Sequence, residues 1–127
     1  VGALLYCAGN TRPDVAFAVG YLCRAMAKPT DELYADGLRV LAYLYRERHI
    51  GLRYAASADP LKGSSDSDWG VCHSTSGWQF KYSQAIVSWG SKKQTSVALS
   101  SCEAELMAAS EAAKEAISLN TSCLGWA

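Results

Sequence analysis

The sequence predicts a mixed α/β fold, because its local patterns change character near residue 50. Before this point the apolar residues recur with a helical period, and after it short alternating stretches precede an alanine-rich helix. The chain has 127 residues, of which 50% are hydrophobic, a composition typical of a globular chain rather than a disordered one. No apolar run approaches the roughly 20 residues that a membrane-spanning helix needs. We therefore expect a globular chain without a membrane segment.

The charge and the cysteines exclude several classes of protein. The formal net charge is zero, from 12 Lys+Arg and 12 Asp+Glu, which argues against a strongly basic tail that binds nucleic acid. Nucleic acid handled through a metal ion stays open, because the metal supplies the positive charge. The five cysteines are widely spaced and form no C-x-x-C motif, so a disulfide scaffold and a zinc site are disfavoured. A reducing compartment with free thiols is the favoured interpretation.

Two helices are predicted in the first half of the chain. The first begins near Thr11 and ends at Lys28-Pro29, because proline suits the first turn of a helix and the position after its end. Its predicted buried stripe comprises Val15, Val19, Leu22 and Met26. The second helix begins after Thr30, whose hydroxyl can cap it, with Asp31 and Glu32 at its positive end. Its predicted buried stripe comprises Tyr34, Leu38, Leu41 and Tyr45.

The second half of the chain is predicted to contain strands. Residues 51–54 are a short strand candidate, and a polar strand is predicted around residues 66–69. Residues 77–90 alternate between large apolar and polar side chains and predict a hairpin that turns near Ser83-Gln84. We expect the tryptophans on these strands to lie in the core rather than to stack on bases; they are Trp69, Trp78 and Trp89.

A long helix is predicted to follow the hairpin after a polar connection. Ser100 and Glu103 fit a capping box, in which the side chain of each residue accepts a hydrogen bond from the backbone N–H of the other. The following residues are strong helix formers, and the helix should continue to about residues 118–123. Glu111 and Glu115 are predicted to be surface charges on this helix.

Three acidic residues are candidates for chemistry. Asp66 and Asp68 are two positions apart, so on a strand they share one face and repel unless a cation lies between them. Glu105 has no basic residue three or four positions away on its helix and therefore no obvious ion-pair partner there. Each has a simpler alternative, because paired acids at a strand end are often solvated and a helix acid often faces water. Acids on a first strand and near a helix start can jointly hold Mg²⁺.

Several ordered motifs give the chain a resemblance to a known family. The motifs are TRPDVAFAV (residues 11–19), GLRY (51–54), SDSDW (65–69), STSG (74–77), VSWGSKKQ (87–94) and VALSSCEAELMA (97–108). They resemble segments of the Pol polyprotein of copia-type LTR retrotransposons. The resemblance covers most of the chain and runs from the end of the reverse transcriptase into the N-terminal part of the ribonuclease H domain.

This resemblance implies a two-part organisation. Residues 1–56 would be the mostly helical C-terminal or connection segment of the reverse transcriptase, and residues 62–127 a truncated ribonuclease H-like domain. The implied fold is an incomplete ribonuclease H-like fold, with a three-stranded antiparallel part of the sheet and the first helix, preceded by two helices. The family's third catalytic acid lies on a later strand, and this sequence has no acid after Glu115.

The resemblance also implies roles for individual residues. Asp66 and Glu105 would be the catalytic acids that bind Mg²⁺ (or Mn²⁺), and Asp68 an accessory or structural residue. Contacts to the substrate are implied for Thr75, Ser76, Lys92 and Lys93. The alternatives are turn chemistry for the two hydroxyls and a solvated loop for the two lysines.

The implied function is the metal-dependent hydrolysis of RNA in RNA–DNA hybrids during reverse transcription. The expected partners are the hybrid and the remainder of a retroelement polyprotein, inside the cell in the cytoplasm, a retroelement particle or the nucleus. Because the third acid is missing, we expect weak metal binding and little or no hydrolysis by this chain alone. The alternative is a non-catalytic, truncated or decayed retrotransposon remnant with a structural or docking role.

Overall fold

The computed structural model describes residues 1–70 and 72–124, with side chains up to residue 122. The chain divides into two compact units, Val1–Arg53 and Tyr54–Ala127. The first unit is helical, and the second combines a sheet with one long helix. The mixed α/β class predicted from the sequence is thus confirmed.

The first unit contains three α-helices, one more than the sequence predicts. They are α1 (Gly2–Asn10), α2 (Ala16–Arg24) and α3 (Asp31–Arg46), and a 3-10 turn, Pro13–Val15, precedes α2. The sequence gives no signal for α1, because its first turn has no acidic residue and its N-terminus has no side-chain cap. The start of α3 is as predicted, since the Leu33 N–H donates to the Thr30 hydroxyl at 3.3 Å.

The core of the first unit confirms three of the four residues of one predicted stripe and corrects the other stripe. Its buried residues are Leu4, Ala8, Val15, Val19 and Leu22. Met26, predicted to be buried, lies beyond the end of α2 and is 59% exposed. The predicted stripe of α3 is wrong, because Tyr34, Leu38, Leu41 and Tyr45 are all exposed. The α3 residues that pack on the core are instead Leu33, Val40, Tyr43 and Leu44.

Arg12 and Asp14 of the TRPD motif fasten the first unit together. Arg12 is 7% exposed and donates two hydrogen bonds to the Asp14 carboxylate, at 3.0 and 2.7 Å, and one to the carbonyl of Glu47 at 3.1 Å. The Tyr43 hydroxyl donates to the same carboxylate at 2.9 Å. The hydrogen bonds from Arg12, and then the one from Tyr43, lower the pKa of Asp14 below its ordinary value.

The sheet of the second unit is antiparallel and has the order β1-β2-β3. Its strands are β1 (Lys62–Asp68), β2 (Thr75–Tyr82) and β3 (Ala85–Lys93). The hairpin turns at Ser83 and Gln84, as predicted, and both have positive φ, 49° and 68°. Two left-handed residues form the type I′ turn whose twist suits a two-residue hairpin.

Two sequence-based assignments in this region are wrong. Residues 51–54 form no strand, because this segment has no ladder partner in the described part of the chain. Tyr54 is held instead by its hydroxyl, which donates to the Ile86 carbonyl at 2.9 Å. Lys92 and Lys93 belong to the end of β3 rather than to a loop, because the register carries the pairing through to both.

The long helix α4 (Ser101–Leu124) starts at the predicted cap Ser100, but only one of the two hydrogen bonds of a capping box joins Ser100 and Glu103. The Glu103 N–H donates to the Ser100 hydroxyl at 3.2 Å, and the Glu103 carboxylate accepts from the Leu99 N–H at 2.7 Å. The helix packs across β1 and β2 with Ala104 and Ala108, both fully buried. These small side chains let the helix lie close to the sheet.

Candidate functional site

The two strand acids lie on β1, which is an edge strand of the described sheet. Asp66 pairs with Gly77 and Asp68 pairs with Thr75, so both lie in regular strand at alternate positions and share one face. Both side chains are exposed. The Asp66 carboxylate accepts a hydrogen bond from the Ser67 N–H at 2.9 Å.

The face that carries these acids is the one away from α4. Ser67 is directly opposite Ser76, so their side chains point to the same face of the sheet. The Ser76 hydroxyl accepts from Gln94, which also donates to the Ala104 carbonyl of α4, so this is the helix-facing side. Asp66 alternates with Ser67 and therefore points to the other side.

Glu105 lies on the flank of α4 that is nearer to β1. On the opposite flank, Met107 and Glu111 share a small pocket with Lys92 of β3. Glu105 is turned about 100° around the helix from the buried Ala104, in the direction away from Met107. Its carboxylate is exposed and has no hydrogen-bond or ion-pair partner among residues 1–70 and 72–124. Both acids therefore lie near the β1 edge, Asp66 on the sheet face away from α4 and Glu105 on the helix itself.

The described residues include no cluster of three side chains that could hold a metal ion. Within residues 1–70 and 72–124, no three Asp, Glu, His or Cys side chains are grouped for that purpose. Magnesium is often bound through one or two carboxylates together with substrate phosphates. Asp66 and Glu105 are oxygen donors of the kind that Mg²⁺ prefers, and two of them fit such a partial site. The assignment of both as metal ligands remains a prediction.

The two predicted substrate hydroxyls are not on an open surface. Ser76 is 1% exposed and its hydroxyl is occupied by the 2.9 Å hydrogen bond from Gln94, so it packs between sheet and helix. Thr75 is 9% exposed at the start of β2. This burial gives Ser76 a structural role and leaves little of either hydroxyl for a phosphate to reach.

The two predicted substrate lysines have different surroundings. Lys92 lies 3.4 Å from the Glu111 carboxylate, whereas Lys93 is exposed at the end of β3. A pocket of about 60 Å³ gathers both lysines, and its lining comprises Ser76, Lys92, Lys93, Gln94, Thr95, Met107 and Glu111. A pocket this small suits a few water-sized groups rather than a nucleotide. Contact of the lysines with phosphate stays a prediction.

The sequence misplaces Glu111 and Glu115, which contact the sheet rather than water alone. Glu111 pairs with Lys92 of β3 and, at 2.6 Å, with Lys114, whose hydrogen bond lowers the pKa of Glu111. Glu115 accepts a hydrogen bond from the Ser88 hydroxyl at 2.6 Å. In the sequence, glutamates on an alanine-rich helix have the pattern of solvent-exposed charges. Only the contacts with β3 in the structure show that Glu111 and Glu115 face the sheet.

Two further residues differ from expectation or were not predicted. Trp69, predicted to be core, is 55% exposed, and its indole N–H donates to the Ala98 carbonyl at 3.3 Å. Gln94 is 8% exposed and joins the sheet to α4, although the polar stretch around it gives no sign of burial.

The cysteines that the structure describes are free; they are Cys7, Cys23, Cys72 and Cys102. Within the described residues, no helix has the length and apolar character to cross a membrane.

Comparison with known proteins shows which sequences the chain is similar to. Over 92% of its length it is 45% identical to "Secreted RxLR effector protein 161" of Plasmopara viticola, and it covers 86% of that protein. Over 92% of its length it is also 39% identical to "Retrovirus-related Pol polyprotein from transposon TNT 1-94" of Nicotiana tabacum. It is 36% identical, over 91% of its length, to "Putative transposon Ty5-1 protein YCL074W" of Saccharomyces cerevisiae.

The extent of these matches differs among the relatives. The chain spans 9% of the tobacco polyprotein and 39% of the yeast protein. No family model matches the chain, and no solved structure matches it at a significant level. The ordered motifs and the identity to transposon polyproteins over nine-tenths of the chain agree with each other. The chain belongs to the family of copia-type retrotransposon Pol polyproteins.

Proposed function

We propose that the second unit is the metal-binding part of a ribonuclease H-like nuclease, which hydrolyses RNA in RNA–DNA hybrids during reverse transcription. The observation that supports this proposal is that Asp66 and Glu105 are both exposed and that neither forms an ion pair with another described residue. Asp66 lies on the edge strand and Glu105 on the β1 flank of the helix that packs against it. The membership in a retrotransposon Pol family supports the same conclusion.

The proposed roles follow from the chemistry of these side chains. Asp66 and Glu105 would hold a divalent cation, which when bound would activate water and offset charge on the phosphate. Asp68, one strand period further along the same face, would orient water or a second cation. Lys93, exposed at the end of β3, would contact a neighbouring phosphate. The hybrid would be recognised by its groove shape and 2′-hydroxyls rather than by sequence.

The experiment for this function is a cleavage assay on a labelled RNA–DNA hybrid with Mg²⁺ or Mn²⁺. We expect slow cleavage by the purified chain, because two carboxylates supply only part of a metal site. Asp66→Asn and Glu105→Gln should each abolish it, and Asp59→Asn, which removes an exposed acid outside the site, should not. A folded chain that neither cleaves the hybrid nor binds Mn²⁺, or cleavage that survives both Asp66→Asn and Glu105→Gln, would refute the nuclease proposal for this chain.

A second candidate is a non-catalytic role as a structural or docking protein derived from a retrotransposon. One observation favours it. The chain covers 86% of a relative that is named as a secreted effector, so a protein of nearly this extent occurs apart from a polyprotein. Under this proposal neither the chain nor its Asp66→Asn and Glu105→Gln variants bind Mn²⁺ jointly at these residues or cleave the hybrid, so the same experiment separates the two candidates.

A further inference from the structure

Gln94 connects three elements of the second unit. Its side-chain N–H groups donate to the Ser76 hydroxyl of β2 and to the Ala104 carbonyl of α4, both at 2.9 Å. Its backbone N–H donates to the Ser74 carbonyl at 2.8 Å. The residue is 8% exposed, so these hydrogen bonds are shielded from water. Gln94 thus fixes the first turns of α4 against the hairpin from inside the unit.

Gln94 binds the backbone carbonyl of the residue that precedes Glu105. Ala104 directly precedes Glu105 and is fully buried, whereas Glu105 has no partner of its own in the described part of the chain. The other contacts from α4 to β3 are made by Glu111 and Glu115. These lie about 9 and 15 Å further along the helix axis, at ~1.5 Å per residue. They hold the middle of α4, whereas the first turns are held by the packing of Ala104 and Ala108 on the sheet and by the hydrogen bond from Gln94.

The side-chain carbonyl oxygen of Gln94 contributes no hydrogen bond within the described part of the chain. Gln94 Oε1 is buried and has no hydrogen-bond partner among the described residues. A buried acceptor without a partner offsets much of what the two donated bonds contribute.

We propose that Gln94 is a positioning residue for Glu105: through the Ala104 carbonyl it sets the height and rotation of the first turns of α4, so that the Glu105 carboxylate reaches the edge of β1 beside Asp66. This inference rests on the proposed function, because the edge matters only if Asp66 and Glu105 share a cation. Gln94 itself touches neither substrate nor cation.

The test compares Gln94→Met with Ser88→Ala in the full chain. The first removes both donors at nearly constant volume, and the second removes the contact to Glu115 as a matched control on the same helix. Gln94→Asn, whose shorter side chain cannot reach both partners, serves if Gln94→Met does not fold. The hydrogen-exchange rate of the amides of residues 104–108 measures the stability of the first turns of α4. A Mn²⁺ titration measures the cation affinity of the proposed site at the β1 edge.

For Gln94→Met we expect exchange of residues 104–108 to rise about tenfold, the effect of losing one to two buried hydrogen bonds. We expect the Mn²⁺ affinity to fall about tenfold, the usual size for a residue that orients a ligand. Ser88→Ala should change neither quantity by more than about twofold, because its contact lies three turns away.

The outcomes separate this inference from the proposed function. Faster exchange with unchanged Mn²⁺ affinity would make Gln94 merely structural, and unchanged exchange would contradict the inference directly. A wild-type chain that binds no Mn²⁺ would refute the cation site, and with it the positioning role, even where exchange shows that Gln94 holds the helix. A loss of Mn²⁺ affinity in Ser88→Ala as large as in Gln94→Met would also overturn the inference, because any loosening of α4 would then suffice.

Discussion

At the scale of single residues, the arginine of the TRPD motif links separate elements of the first unit by hydrogen bonds. Arg12 is buried with its charge compensated, since Asp14 accepts two of its hydrogen bonds and the Glu47 carbonyl accepts a third. It also lies 5.6 Å from the centre of the Tyr43 ring. One guanidinium therefore links the 3-10 turn to the end of α3, 35 residues later.

We predict that Arg12→Ala destabilises the first unit by about 2 kcal/mol, because it removes charge-assisted hydrogen bonds from a buried side chain. Urea unfolding followed at amides of α3 measures the change. Arg39→Ala is the matched control, since Arg39 is 79% exposed and pairs only with Asp36. The control should lose no more than about 0.5 kcal/mol, and equal losses in the two variants would contradict the role of Arg12.

The lowered pKa of Asp14 predicts a pH dependence of the first unit. Because the folded-state pKa lies below the unfolded one, the carboxylate contributes stability that is complete above about pH 4 and is lost as the pH falls through the folded-state value. The unit should therefore lose stability on acidification below this range. Asp14→Asn should flatten this part of the pH profile in urea unfolding, and an unchanged profile would rule out Asp14 as its cause.

At the scale of elements, the turn of the β2–β3 hairpin is strained, because neither of its two left-handed residues is glycine. Ser83 and Gln84 both adopt the left-handed conformation, which costs a residue with a Cβ about 1–2 kcal/mol relative to glycine. We predict that Gln84→Gly stabilises the second unit by about 1 kcal/mol in thermal unfolding. Gln79→Gly, within β2, should instead destabilise it, because glycine weakens a regular strand. Destabilisation by both changes would contradict the type I′ assignment.

The start of α4 provides a second prediction at this scale. The Ser100 hydroxyl accepts from the Glu103 N–H, a bond that satisfies an otherwise unpaired donor of the first turn. Ser100→Ala should destabilise the second unit by about 1 kcal/mol, as the loss of a cap usually does. Ser110→Ala, at an exposed position within the helix, is the control and should have almost no effect. Thermal unfolding that places both variants at the wild-type midpoint would contradict the cap.

The elements differ in how far the sequence determines them, for physical reasons. Caps and turns are local, so the Thr30 and Ser100 caps and the Ser83-Gln84 turn could be predicted. The helix α3 carries apolar residues on two neighbouring faces, and the choice between them depends on packing. Leu38 and Leu41 line an open groove of about 220 Å³, whereas Val40 and Leu44 reach the core.

The same distinction applies to the candidate site. The strand and helix that carry Asp66 and Glu105 were predictable from local signals and motifs. The burial of Ser76 and the linking role of Gln94 were not, because they depend on pairing across 18 residues between the two ends of the hairpin. The alternation of side chains along β1 shows which residues share a face, but it does not show which of the two faces the helix covers.

At the scale of the whole molecule, the central claim concerns the edge of the second unit. The chain spans 9% of the tobacco polyprotein that it matches, so the activity of such a polyprotein is a proposal for this chain. The sheet ends at β1 within the described residues, and the acids lie beside that edge. The account requires that Asp66 and Glu105 bind one divalent cation jointly.

A Mn²⁺ titration followed by NMR relaxation tests this claim most directly, because the paramagnetic ion broadens the resonances of nearby nuclei. We expect the amides around Asp66 and Glu105 to broaden together, and either Asp66→Asn or Glu105→Gln to abolish the broadening at both. Broadening at only one acid, or broadening that survives either substitution, would contradict the joint site.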